Sequence, residues 1–453
     1  MAKGTGTELG ASFRRRRFLA VAPAAAAPVL VRARAEAAPA RALVREALPN
    51  GLLVIAEERR WADTVAMQLT ARVGSRDDGD VPGINVITSR MMFQGTHRRP
   101  SESDLLRVAA QVGGTLSRGT GAEFSQFSSV VPAGEVDVAF DLLSDLALNP
   151  LLDQRWWERQ RQVVLQDLAR RRADPILLLG DRFQETMFAG HPAGTPVLGT
   201  PETVAAIAAE RLRANHGQYW GGANLVLTVA GRIAPEDALA RAERYFGGLP
   251  SREALVRQPA SLPQRDGPES VYAGAGEQQA QLRLGFAAPS LGDAGQYALH
   301  VLNAMMAGVS GRFFRALRTE RGLAYSAGAG YITLADTGAW YATAGVDPQS
   351  LDAALEVVRA EITRLREETP HADEVARAIS RLAGQEIVAG EGNAARGARL
   401  ALEEVVGIDS VEAFVHRIRE VTPGDVRAVA ETYLDLERAL LVVVGPTALA
   451  TGA

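Results

Sequence analysis

Residues Gly83 to Thr96, GINVITSRMMFQGT, place Ile84, Ile87 and Met91 at i, i+3 and i+7, the spacing of one apolar helix face. The pattern stops at Gly95, as helices often do. Three further stretches read as helices: SESDLLRVAAQVGG, with Ser101 as N-cap and Asp104 three residues on, GEVDVAFDLLSDLALNP, and DQRWWERQRQVVLQDLARRRADP. In the last of these the amphipathic pattern turns Trp156 or Trp157 inward. Other stretches are rich in Val, Leu and Thr and bounded by Gly or Pro, and predict strands: GLLVIAEE, VAMQLTARVG, SQFSSVVP and NLVLTVAG. Strands and helices come in blocks rather than in strict alternation, which predicts an α+β fold with mainly antiparallel sheets covered by helices.

The pattern repeats. Tyr219 to Gly231 (YWGGANLVLTVAG) and Tyr433 to Gly445 (YLDLERALLVVVG) lie 214 residues apart, and the same offset carries Met91-Met92 onto Met305-Met306. A shared offset at three landmarks predicts two homologous halves. Between them, Pro250, Pro259, Pro263 and Pro268 mark an extended linker. The expected organisation is an N-terminal half over residues 44–249, a linker over 250–270 and a C-terminal half over 271–447.

The first 35 residues read differently. Arg14 to Arg17 precede an apolar run from Phe18 to Val31 and the small-residue site Ala33-Arg34-Ala35, the layout of an export signal. Arg15-Arg16-Arg17-Phe18-Leu19 fits the twin-arginine pattern, and a run of 14 residues containing Pro23 and Pro28 is too short for a membrane anchor. Removing the signal leaves 42 Arg against 52 Asp and Glu, a formal charge of −10, which argues against a nucleic-acid partner. A bacterial protein exported to the periplasm, with no membrane span after signal removal, is expected.

Composition narrows the chemistry. There is no cysteine, which excludes disulfides, thiolate metal sites and cysteine nucleophiles, and Lys3 is the only lysine, which excludes Schiff-base and P-loop chemistry from the body of the chain. The six His (His97, His191, His216, His300, His371 and His416) include no i, i+4 pair. The glycine-rich stretches around AGAGY and GEGNAARG lack the G-x-G-x-x-G spacing and read as loops. GVSGR around Ser310 is one residue short of a nucleophile elbow.

LPNGLLVIAEE, ARVGSRDD, MMFQGTHRRP, QVGGTLS and NLVLTVAG together resemble the pitrilysin/insulinase family of zinc metallopeptidases, above all its paired-subunit branch related to mitochondrial processing peptidase. The resemblance spans roughly residues 44 to 447 and implies a duplicated α+β fold. Active members carry H-x-x-E-H on the helix before F-x-G-T, two His ligands on one helix face with Glu as general base. Here the resemblance puts Val86 in the first His slot, Ser89 in the Glu slot and Arg90 in the second His slot. The third ligand, a Glu in the family, falls on Asp167. A catalytic zinc needs three His or carboxylate ligands and a base for the water's proton, so this chain is expected to hold no metal and to catalyse nothing on its own. The edge strand that grips substrate in active members also departs, with Thr115-Leu116 after Gly113-Gly114 where the family has Asn-Ala, then Ser117-Arg118.

The C-terminal half keeps more. GRFFRALRTERGLAYSAGAGY, Gly311 to Tyr331, resembles the family segment in which an Arg and a Tyr seven positions apart contact substrate around the scissile bond. Here these are Arg318 and Tyr325, expected to act in trans on a homologous partner that carries H-x-x-E-H and the zinc. Taken without the resemblance, the segment is a helix end with Gly322 as C-cap, Arg318 solvated and Tyr325 packed in the sheet. The resemblance therefore implies the non-catalytic subunit of a heterodimeric zinc peptidase acting on peptides. The alternative is a peptide-binding or scaffolding protein of the same fold with no peptidase role.

Overall fold

The computed structural model describes residues 43–275 and 278–446; the export signal expected at residues 1–35 lies outside them. Among the described residues no helix is long and apolar enough to cross a membrane. The strands are β1 (Leu43–Ala47), β2 (Leu53–Glu58), β3 (Thr64–Ala71), β4 (Thr115–Thr120), β5 (Ser125–Pro132), β6 (Leu225–Gly231), β7 (Glu269–Gly274), β8 (Ala280–Ala288), β9 (Ala324–Thr333), β10 (Gly338–Val346) and β11 (Leu440–Gly445). They form two sheets, ordered β1-β2-β6-β3-β5-β4 and β7-β11-β8-β10-β9. All pairings are antiparallel except β2 with β6 and β7 with β11. The fold class expected from the sequence, α+β in two homologous halves, is the one observed.

The duplication can be followed element by element. Tyr219 and Tyr433 each end a helix, and Gly231 and Gly445 each end the strand that follows it. Met91-Met92 and Met305-Met306 close the helices Ile84–Met92 and Gly295–Met306. Apart from the extra β1, the two sheets have the same order, so β4 and β9 are equivalent edge strands.

Every residue of β6 and of β11 is buried, as in strands covered on both faces. One cover comes from each half's own helices. The other is exchanged between halves. The helix Pro175–Met187 packs on β8 and β11, where Phe183 leaves room for no side chain at Gly285: a Cβ there would lie 2.2 Å from its ring. Reciprocally, the helix Asn393–Val405 packs on β3 and β6, where Gln68 Nε2 donates to Ala394 O (2.9 Å) and Thr228 Oγ1 to Gly397 O (3.0 Å).

Two glycine-rich stretches expected as loops are therefore corrected. Residues 393–397 of GEGNAARG open that exchanged helix, and AGAGY lies inside β9. In β9 glycine serves packing rather than turning: a Cβ at Gly330 would meet the Tyr341 ring at 2.3 Å.

From Pro250 to Pro268 the chain has no helix or strand, and β7 begins at Glu269, inside the stretch read as linker. This segment lies along the body. Arg257 pairs with Asp77 (2.7 Å), and the Ala260 N–H donates to Asp336 Oδ2 (2.9 Å).

Candidate functional site

The helix Ile84–Met92 buries Ile84, Ile87 and Met91 on the expected face. Its start is fixed by Asp78, which accepts from Gly83 N (2.6 Å), Asn85 N (3.0 Å) and Asn85 Nδ2 (3.0 Å). Burial pushes the Asp78 carboxyl up to about 7, against these hydrogen bonds, which favour the anion.

Val86, Ser89 and Arg90 lie at i, i+3 and i+4 on one face of this helix, and Arg90 reaches the helix Gln154–Ala173, which is capped by Asp153 and anchored by the fully buried Trp157. Trp157 is thus the inward-facing member of the Trp pair. Ser89 is completely buried and its Oγ has no hydrogen-bond partner among the described residues. Arg90 Nη1 donates to Asp167 Oδ2 at 2.8 Å, and Arg170 reaches the other oxygen of Asp167 at 3.5 Å. The structure thus brings together the two charged positions of the degenerate site, 77 residues apart in sequence, as an ion pair.

A zinc ion does not fit this set of residues. Val86 has no donor atom, Ser89 Oγ is sealed in, and Arg90 places a cation on the one carboxylate. Among the described residues no group of three or more His, Asp or Glu is disposed to hold a metal. The arrangement can instead receive an anion, because another guanidinium faces it. Arg118 of β4 is exposed and makes no hydrogen bond or ion pair with the other described residues. Desolvation and the adjacent Arg90 cation lower its pKa from the ordinary guanidinium value. The sequence marked Arg118 only as a departure from the family's edge strand; the charge it adds to the site becomes visible once β4 lies beside the helix.

Arg318 and Tyr325 lie in the other half. The chain makes a π-helical turn over Arg315–Thr319, closed by Glu320 N donating to Arg315 O (2.9 Å). Such wide turns are rare and concentrate at functional sites. The turn buries Ala316 and Leu317 and leaves Arg318 exposed. Gly322, at φ +66°, then turns the chain into β9. Tyr325 is 57% exposed, so the alternative expectation of a tyrosine packed in the sheet is not met. Arg318 Nη1 donates to Ala324 O (3.0 Å), which holds its guanidinium 5.9 Å from the centre of the Tyr325 ring. Four of the five guanidinium N–H groups remain for another acceptor. No hydrogen bond, ion pair or ring contact joins Arg318 or Tyr325 to the Arg90–Asp167 pair.

Comparison with known proteins shows the family and the fold. Residues 53–201 match the family Insulinase (Peptidase family M16), and residues 206–382 match the Peptidase M16 inactive domain. A zinc protease of Streptomyces coelicolor is 30% identical over 417 residues, covering 89% of each chain. Among solved structures, a protease from Helicobacter pylori superposes with a TM-score of 0.84 at 19% identity, over 90% of this chain and 100% of that one. A peptidase M16 inactive domain from Pseudomonas fluorescens superposes with a TM-score of 0.82 at 19% identity, over 89% of this chain and 98% of that one. With its two matched domains, its paired sheets and a metal-site helix recognisable by position though not by chemistry, the chain belongs to the insulinase family, M16.

Proposed function

We propose that this protein is the non-catalytic subunit of a heterodimeric zinc metallopeptidase, exported to the periplasm. It would contribute one wall of a closed chamber, and Arg318 and Tyr325, to a homologous partner that carries H-x-x-E-H and supplies the metal. The observation that carries this reading is a contrast within one chain. On the helix Ile84–Met92, Arg90 is held in an ion pair with Asp167, while Arg318 and Tyr325 are exposed and side by side. A guanidinium fork suits a peptide carbonyl, and a tyrosine hydroxyl can donate to the oxygen that gains negative charge as the scissile carbonyl is attacked.

Two measurements follow from this reading. The purified mature chain should contain no stoichiometric zinc and cleave no peptide, and mixing it with an H-x-x-E-H homologue encoded beside it should produce a complex with chelator-sensitive peptidase activity. About one zinc per chain by metal analysis, with hydrolysis by the chain alone, would overturn the assignment. A homologue that binds without gaining activity would leave the scaffolding role in its place.

The export step has its own test. Replacing Arg14 to Arg17 by lysine should leave precursor in the cytoplasm, because the twin-arginine pattern is read through its arginines. Unchanged secretion would assign the signal to the general secretory route.

A further inference from the structure

We propose that the degenerate metal site of this chain is a carboxylate-binding site, in which Arg118 on the free edge of β4, beside Arg90, takes the acidic side chain of an extended peptide that adds to that edge. The proposal concerns the isolated chain and does not require the peptidase partner.

Three observations carry it. The first is the edge. β4 ends its sheet, hydrogen-bonded to β5 on one side from Thr115↔Val130 to Thr120↔Ser125, and no strand among the described residues pairs with its other side. A row of unpaired backbone donors and acceptors is a template for an added strand.

The second is direction. Side chains alternate along a strand, so Arg118 shares a face with Leu116, which is buried, and lies opposite Phe127, a fully buried core residue that stacks on Phe93 at 6.1 Å. Arg118 therefore stands on the helix-covered face, against the helix Ile84–Met92, and not on the opposite face, where Ser117 bonds to Ser128 (2.7 Å).

The third is charge. The charges that act on Arg118 are those of Arg90, Glu102 and Asp167. Asp167 is shared by Arg90 and Arg170, and Glu102 accepts from Gln94 Nε2 at 2.9 Å. Three guanidiniums thus meet two carboxylates, and Arg118 is the one with no hydrogen-bonding partner. Two cations held together on a partly desolvated surface repel each other, and a peptide carboxylate relieves that repulsion while satisfying the Arg118 fork in bidentate fashion. Where the family binds a metal cation through anionic and neutral ligands, this chain presents fixed cations and selects the opposite charge.

The test is fluorescence anisotropy with the isolated mature chain and labelled extended peptides that differ only in a central Glu or Gln. The Glu peptide should bind roughly tenfold or more tightly than its Gln twin, the scale of one charge-assisted bidentate contact. The preference should shrink at high salt and disappear in Arg118→Gln, and Arg118→Glu should reverse it toward a central Lys. Because Arg118 is exposed and unpaired, these variants should melt like the wild type, which separates lost binding from lost folding. Equal affinity for Glu and Gln peptides, a preference that survives Arg118→Gln, or no binding of either peptide at millimolar concentration would each overturn the proposal. None of these outcomes depends on whether Arg318 and Tyr325 serve a partner, so the two assignments stand or fall separately.

Discussion

Reconstituted with an H-x-x-E-H subunit, the Tyr325→Phe variant should turn over peptide roughly 10²-fold or more slowly than the wild type, as when other oxyanion donors are removed. The substitution deletes one hydroxyl and keeps the ring, and since Tyr325 is 57% exposed it should change neither folding nor the stacking of Arg318 alongside. A hydroxyl that donates only to developing charge should lower kcat and kcat/KM together, with KM nearly unchanged. Arg318→Ala should behave differently. A guanidinium that forks onto a substrate carbonyl holds it before and during the reaction, so KM should rise as well as kcat fall. Neither variant should alter association of the subunits, measured on the same samples by size-exclusion chromatography. If both complexes form and both work at full rate, the pair is structural and the protein is best described as a scaffold of the same fold.

Much of this architecture was legible in the sequence, for identifiable reasons. The 214-residue offset survived because Tyr219 and Tyr433 end equivalent helices and Gly231 and Gly445 end equivalent buried strands, positions where geometry leaves few alternatives. The apolar pattern of β6 predicts a strand but not what covers it. Periodicity identifies a face, not its partner, so the exchange of the helices Pro175–Met187 and Asn393–Val405 between halves was invisible. Glycine misled where it serves packing: Gly330 yields to the Tyr341 ring inside β9 and does not mark a loop.

The site shows the same division. Val86, Ser89, Arg90 and Asp167 are assigned to the ligand positions by the resemblance and its spacing, and the expectation of no metal rests on their residue chemistry. That Arg90 and Asp167 compensate each other at 2.8 Å required the two helices to be set side by side. Arg118 belongs to a separate strand, and nothing local in TLSRGT says that its side chain faces Arg90.

Replacing Asp336 by alanine should destabilise the protein by about 3–5 kcal/mol, the usual cost of removing one member of a buried ion pair. Asp336 lies in the turn between β9 and β10, and its carboxylate takes both Arg76 Nη1 (2.9 Å) and Nη2 (2.6 Å) from the other half. It also accepts the Ala260 N–H of the inter-half segment, and His191 Nε2 stands 3.4 Å away. Glu123 completes the group, accepting from Arg76 (2.7 Å) and from the Ala335 N–H (3.1 Å) of the same turn. Arg76, Glu123 and His191 are all buried, so solvent cannot replace what the aspartate supplies. The alanine variant leaves the Ala260 N–H unpaired and Arg76 with a single carboxylate, and both losses fall where the two halves meet. Asp336→Asn keeps one acceptor oxygen and should fall between. Removing the charges together, in Arg76→Met with Asp336→Leu and Glu123→Gln, should recover part of the loss, because no member of the group is then a buried charge without its partner. The effect should follow pH in a fixed sense. Arg76 and the Ala260 N–H outweigh the burial of Asp336 and hold its pKa below the ordinary 3.8. The carboxylate therefore contributes fully above that value, and its contribution disappears as pH falls through the depressed folded value. Urea midpoints of wild type and Asp336→Ala should differ fully near neutral pH and converge in strong acid. A difference that is small at pH 7, or that grows on acidification, would mean that the halves are held together mainly by their exchanged helices.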